Sequence, residues 1–400
     1  MITAARHIDV HIVQTYPYSC LNRDDTNSVK TLIYGGVERT RQSSQSQKRP
    51  IRLAVENDLD QRSIRTRRLS ARLADHLEKE RGWPKPLAAR AGDHAVAASS
   101  IETDVQETQT NRKNAKPKPA GPLSTKAAIY LPETALNALA DLAETHRADL
   151  ETAKDLTTLK SADAATAAVL PTDKIDAILT SSNGVINLLG RMLAEVGGAG
   201  VDGAVHIAHA FTTHETETQL DYFSLVDDIT ALWNDTAGSA HMNTNEFSAG
   251  TFYRYLSLDL TDLLRNLNGD QAAALELVKS LLIQSVLAIQ GAKHTSTAPF
   301  TLPDLVHIAV REDRPYSYAA AFETPVPQGE NGGYLDGSLT ALAEHADAVA
   351  RFLGRSHSPR YHGYASLRSK DLTALGTHED GIDELVSTAL AHALPAGPAQ

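Results

Sequence analysis

The chain has 400 residues, 42% of them apolar and 22% charged, which is enough length for two or three domains and excludes a wholly disordered or collagen-like polymer. A single cysteine, Cys20, excludes an internal disulfide and a cysteine-held zinc or iron–sulfur centre, and makes the cytosol the natural compartment. The net charge of −11 excludes a chain that is basic throughout. No membrane segment is expected either, because Leu275 to Ile289 is broken by Glu276, Lys279 and Gln284, and Met1 to Val13 carries His7, Asp9 and His11 where a secretory signal needs an apolar run.

In chain order, His7 to Gln14 alternates Ile8, Val10 and Ile12 with His7, Asp9 and His11, the period of a half-buried strand. An irregular loop follows through Asn22-Arg23-Asp24-Asp25 and Asn27 to Gly35-Gly36. Ser43-Ser44 caps a helix to about Asp58. Pro50 predicts that this helix starts late or kinks, since an interior proline costs about 3 kcal/mol. Gln61 to Arg81 is helix-compatible, with Leu69, Leu73 and Leu77 four apart. Residues 94–123 have no apolar period and contain the linker-like tract Lys116 to Pro122, so part of them is expected to be disordered. Pro132 suits a first helical position ahead of the stripe Leu136, Leu139, Leu142 and Ala143, and Thr172 caps a short helix after Pro171.

Strands are predicted at Val185 to Met192, Gly203 to Thr213, Thr251 to Asp259 and, as the last, Leu305 to Arg311. A polar, aromatic-dotted excursion separates the second and third. Helices are predicted at Asp270 to Gln290, Tyr316 to Glu323 and Leu339 to Leu353. The order strand, helix, helical insertion, strands, helix, strand gives an α+β fold with a split βαβ core and large insertions.

Enzymatic chemistry finds little support. His206, His209 and His214 lie near Glu215 and Glu217, but strand residues three apart face opposite sides, so a shared metal ion is not expected. Asp24-Asp25 and Asp227-Asp228 have the form of a nuclease's paired acids, yet adjacent acids in loops commonly hold turns. Cys20 reads as a small buried apolar residue, and Gly197-Gly198-Ala199-Gly200 as a turn rather than a phosphate loop. No catalytic residue, metal or cofactor is predicted.

The charge is graded along the chain. Residues 1–122 hold 21 Lys and Arg against 14 Asp and Glu, and the remainder 17 against 35. Lys30 to Arg52 has six basic residues, Lys30, Arg39, Arg41, Lys48, Arg49 and Arg52, against one acid, Glu38. Charges beyond a Debye length of about 8 Å are largely screened at physiological salt, so this segment can hold a polyanion although the whole is acidic. A solvated helix face is the alternative. A site for single-stranded RNA needs cations and hydroxyls for phosphates and a few flat side chains for unpaired bases. Arg41, Ser43, Ser44, Gln45, Lys48, Arg49 and Arg52 supply the first in one segment, with Arg23 and Lys30 from the preceding loop. Tyr222 and Phe223, in the polar excursion, offer the second, unless they anchor a hairpin to the core.

The string Leu21-Asn22-Arg23-Asp24-Asp25, followed by Tyr34-Gly35-Gly36, Arg41, Ser43-Ser44-Gln45-Ser46 and Lys48-Arg49, resembles the CasC family, the crRNA-binding backbone subunit of the type I-E CRISPR Cascade complex. Gly190-Arg191-Met192, Asp202-Gly203-Ala204, His206 to Ala210, Thr212-Thr213-His214, Asp221-Tyr222-Phe223, Val226-Asp227-Asp228, Gly238 to His241, Glu246 to Gly250 and Phe252 to Tyr255 agree with it in the same order. The resemblance implies an RRM-like (ferredoxin-like) palm, a helical fingers insertion and a β-hairpin thumb. The palm would take 1–60, 182–211 and, with C-terminal helices, 249–400; the fingers 61–181; the thumb 212–248. It implies phosphate contacts from Lys30, Lys48 and Arg52, and a displaced base bracketed by Met192 and Phe223. The implied partners are crRNA, target DNA through the guide, further copies of the chain in a helical backbone, and the other Cascade subunits: the large subunit, the small subunits, the crRNA-processing endoribonuclease and the subunit capping the guide's 5′ end. Val37, Glu38, Gln42, Gln47 and Pro50 depart from the family pattern.

Overall fold

The computed structural model describes residues 5–104, 121–157, 159–224 and 242–394. The chain runs through β1 (His7–Ser19), β2 (Thr31–Tyr34), β3 (Val37–Gln42), α1 (Ser44–Asp58), β4 (Ser63–Thr66), α2 (Leu69–Arg81), α3 (Lys85–Ala98), β5 (Thr103–Asp104), β6 (Ser124–Thr125) and β7 (Ile129–Pro132). It continues with α4 (Ala135–Thr145), α5 (Arg147–Thr152), α6 (Ser161–Ala167), α7 (Thr172–Leu179), α8 (Gly184–Leu189), β8 (Val205–Ile207), β9 (Ala210–Thr212), β10 (Gln219–Ser224) and β11 (Met242–Asp259). After these come α9 (Leu260–Asn266), α10 (Gln271–Leu287), α11 (His294–Thr297), β12 (Leu305–Arg311), α12 (Leu335–Leu353), β13 (Tyr361–Ser366), β14 (Thr377–His378) and α13 (Ile382–Ala393). Met1–Val55 with Ala204–Gln400 form one compact unit and Glu56–Gly203 another.

The first unit is built on a ten-stranded sheet of order β14-β13-β12-β1-β11-β9-β3-β2, with β8 and β10 also paired to β11. Its centre is RRM-like: in the run β1-α1-β8/β9-β11-α10-β12, β1 lies between β12 and β11 and the β8/β9 pair lies outside β11, the split βαβ order. His7 stands opposite Asp259 on one side and Arg311 on the other. β12 is not the last strand, since β13 pairs with it and β14 with β13.

The expectation of a half-buried β1 is overturned, because both of its faces are covered. Ile8, Val10 and Ile12 are buried, and Ile12 lies with Ile51 and Leu256 on the α1 side. Asp9 and His11 are as deeply buried on the other side, beneath the strap that joins β12 to α12. The strap is pinned to four places in the sheet. Tyr316 and Tyr318 donate their amides to Asp9 Oδ2 at 2.9 Å and Tyr253 Oη at 3.0 Å, Arg39 donates to the Phe322 carbonyl at 2.9 Å, and Val326 donates to Thr213 O at 3.0 Å. Its predicted helix shrinks to one 3-10 turn, Ala319–Phe322. Leu339 and Leu342 of α12 complete this layer over Val13, Phe211 and Tyr253.

The loop predicted to run to Gly35-Gly36 ends early, in a β2–β3 hairpin. Gly35 and Gly36 have φ of +63° and +80°, which side chains disfavour, and a Cβ on Gly35 would lie 1.7 Å from the Glu323 carbonyl oxygen. α1 does not start late. Ser43 caps it, its Oγ accepting from Ser46 N at 3.3 Å, and the helix continues through Pro50.

In the second unit Leu69, Leu73, Leu77, Leu136, Leu139 and Leu142 share one core, the stripes that helical spacing predicts. Several local readings change. β4 precedes α2 where only helix was expected, and α3 carries His94 to Ala98 into the tract read as aperiodic, leaving 105–120 outside the described residues. Pro132 ends β7, where a missing N–H is tolerated, instead of starting a helix. Thr172 is the first residue of α7 and makes no capping bond. Val185 to Leu189, read as strand from its apolar run, is helical because Asn183 Oδ1 caps Ile186 N at 2.9 Å.

Candidate nucleic-acid interface

Asn22 organises the first unit's basic rim. Its side-chain oxygen accepts from Ser43 N at 2.8 Å and its carbonyl from Lys30 N at 3.1 Å, while the Lys30 carbonyl accepts from Arg41 N at 2.8 Å. One residue therefore joins the loop after β1, the end of β3 and the start of α1. On α1, Gln47, Ile51 and Val55 form the inner stripe, so Ser44, Lys48 and Arg52, four apart, form the next, with Gln45 and Arg49 exposed beyond it. Lys48 is half-buried; desolvation lowers its pKa, and no carboxylate among the described residues offsets that cost.

Around the rim, Arg23 donates to Asn27 Oδ1 at 2.5 Å across its loop. Asp24 holds that loop, its Oδ1 accepting from Thr26 N, Thr26 Oγ1 and Ser28 N at 2.8–2.9 Å, bonds that keep its pKa below the usual carboxylate value. Arg41 Nη1 lies 2.9 Å from His209 Nδ1. Burial, then Arg41 and Lys30, lower the His209 pKa.

The structure removes two residues from this surface. Arg39 is 0% exposed and donates to the carbonyls of Tyr34, Thr212, Phe322 and Glu323. Ser43 is buried and its hydroxyl serves as the helix cap. Gln47, one of the departures from the family pattern, is structural as well, reaching the Ala208 carbonyl at 3.0 Å.

Tyr222 and Phe223 do not anchor the hairpin in the core: they are 71% and 43% exposed on β10, opposite Thr244 and Asn243. As neighbours on a strand they point to opposite faces of the ribbon, so one face presents only one of them. Asp227-Asp228 and the tip of the expected thumb lie outside the described residues. Met192 belongs to the second unit and is 94% exposed. Its neighbour Arg191 is buried and donates to carbonyls of Ala199, Tyr130, Ser181 and Thr180, fixing the backbone from which Met192 projects.

The pattern of one known family, described as CT1975-like protein, matches residues 8–388. The chain belongs to the CT1975-like family. No curated protein sequence matches it. This CT1975-like chain is similar to a chain of a solved "CRISPR RNA-guided surveillance complex, pre-nicking", with 39% identity and a TM-score of 0.84 over 97% of this chain and 100% of the other. It is also similar to a chain of a "CRISPR RNA-guided surveillance complex", at 35% identity and a TM-score of 0.75 over the same shares. Sequence reasoning weighed His209 only as a metal ligand; the signal for its actual neighbour, Arg41, is the register that sets Arg41 opposite Phe211, two residues on. It also passed over Lys293, which donates to Asn245 at 2.5 Å beside the β10–β11 ribbon. Among the described residues no helix is long and apolar enough to cross a membrane.

Proposed function

We propose that the chain is a non-catalytic backbone subunit of a type I-E Cascade surveillance complex, binding crRNA along its spacer in stacked copies and presenting it to target DNA. Lys48 carries this reading. A lysine that gives up part of its hydration without a carboxylate in return is suited to an external anion, and it stands in one stripe with Ser44 and Arg52 on the helix whose start Asn22 ties to the Lys30 backbone. Backbone grip of this kind is indifferent to sequence and leaves specificity to base pairing. The similar chains of CRISPR surveillance complexes support the same reading.

A stand-alone RNA-binding protein of RRM type would stack bases on aromatics of its central strands. Here Tyr253 and His11 are buried under the strap, which disfavours that alternative. A metal-dependent ribonuclease using Asp24 is disfavoured by the three bonds its Oδ1 already accepts within its own loop. Replacing Lys48 and Arg52 together by alanine should weaken RNA retention equally for all spacer sequences and reduce the salt slope by about 1.4, or about 0.7 per lost single-strand contact. Unchanged retention across several salt concentrations would refute this site.

A further inference from the structure

His209 stands at the break between β8 and β9, where the chain is held from two sides: Ala208 N donates to the Tyr255 carbonyl at 2.9 Å, and Ala208 O accepts from Gln47 Nε2 at 3.0 Å. The imidazole itself is exposed, with Nδ1 2.9 Å from Arg41 Nη1. A guanidinium carries only N–H donors, so this contact requires an unprotonated Nδ1 and a ring proton on Nε2. Arg41 is steered a second time by its Nε–H to the Thr31 carbonyl at 3.2 Å, leaving other N–H groups of the fork for a further acceptor.

The charged groups acting on His209 are few. β3 contributes Arg41 and the segment entering β2 contributes Lys30; α1 and β11 hold the neighbouring Ala208 backbone through the neutral Gln47 amide and the Tyr255 carbonyl. No carboxylate among the described residues acts on the ring. A phosphate drawn to Arg41 reverses this balance. The fork turns toward the phosphate oxygens, Nδ1 loses its donor, and the anion offsets the field of both cations.

Resting on the RNA-binding reading above, we propose that His209 is a further RNA-contacting residue: a neutral acceptor that holds Arg41 in the free protein, and an imidazolium donor to the same phosphate once RNA binds. The step is the uptake of one proton from solvent onto Nδ1, with no other bond made or broken. By linkage, a group that gains a proton on binding tightens binding as pH falls, by up to about tenfold per pH unit for one full proton.

Calorimetry of the full chain with single-stranded oligouridylate, at pH 6.5 in two buffers of different ionisation enthalpy, counts that proton. Wild type should take up a fraction approaching one proton per bound subunit, and His209→Gln, which keeps an acceptor for Arg41 but cannot titrate, should lose that fraction. NMR titration of the wild-type His209 ring adds a readout independent of the variant's folding, since its midpoint must rise when RNA is present. Equal uptake in wild type and variant, or an unmoved midpoint, overturns the proposal while leaving RNA binding intact. Failure of the wild type to bind the oligonucleotide at any pH overturns the RNA-binding reading together with this one.

Discussion

Arg39, Arg191 and Arg254 illustrate why counting basic residues overstates a phosphate-binding surface. Each is buried, and each guanidinium donates to oxygens of the protein itself; Arg254 donates to Gln14 Oε1 at 2.9 Å and to the Ser285 carbonyl at 2.7 Å. Replacing Arg39 by alanine should remove the side-chain donor from four carbonyls and destabilise the fold by about 3 kcal/mol in urea denaturation. The same change, tested under conditions where the protein stays folded, should not alter the salt slope of RNA binding, because Arg39 is no phosphate contact. Met192→Ala should behave in the opposite way, changing stability by less than about 0.5 kcal/mol because the side chain is exposed, while weakening RNA binding. That Lys48 and Arg52 share a stripe of α1 was legible from helical spacing alone. The burial of Arg39 was not, because it depends on a strap almost 300 residues later in the chain.

At the scale of elements, β1 and β12 show how alternation can mislead. A period of two was visible and correct, but polar residues on one face do not imply solvent when they bond to one another: Asp9 pairs with Arg311 at 3.0 Å and accepts from Tyr255 Oη at 2.9 Å, while His11 Nδ1 lies 2.8 Å from Tyr253 Oη. Such a layer should be sensitive to acid. Burial lowers the pKa of His307 to about 3 and of His214 to about 4, and holds His11 well below its usual value. The unfolded chain takes up these protons near pH 6.5, so below that value it binds more of them than the native state does. Stability is complete above about pH 6.5 and declines as pH falls toward 4 and then 3, with about 1 kcal/mol lost per histidine by pH 5.5. Urea midpoints that stay level between pH 7 and 5.5 would contradict this account. The β2–β3 hairpin was missed for a different reason: its glycine pair was read as the end of a loop, whereas it is a turn closed against Glu323. Gly35→Ala should cost at least about 3 kcal/mol by the same measurement, since both the positive φ and the carbonyl contact resist a side chain.

For the whole molecule, the fold class and the order of the central elements were readable because each element alone carried its period. The covering of the sheet, the two C-terminal strands and the arginine hubs were not, because long-range packing decides them. That covering closes the sheet face to the RNA proposed above and leaves the basic segment around Asn22 and α1 as its contact surface. Photo-crosslinking to bound RNA should accordingly label Tyr222 or Phe223 and the segment Ser44 to Arg52, and should leave Tyr253 and Tyr318 unlabelled; labelling of Tyr253 would mean that the strap opens.

The pairing of β1 also has a consequence for biosynthesis. Strand β1 leaves the ribosome ahead of both its neighbours and finds them only when Asp259 and then Arg311 have been made, because those residues lie opposite His7. At about 5–20 residues per second the strand waits roughly 12–50 s as an unpaired ribbon, while the unit Glu56–Gly203, translated in between, already holds all of its own core. Nascent chains stalled before residue 242 should therefore depend on chaperones to shield β1, a burden that falls once β11 emerges and disappears once β12 follows.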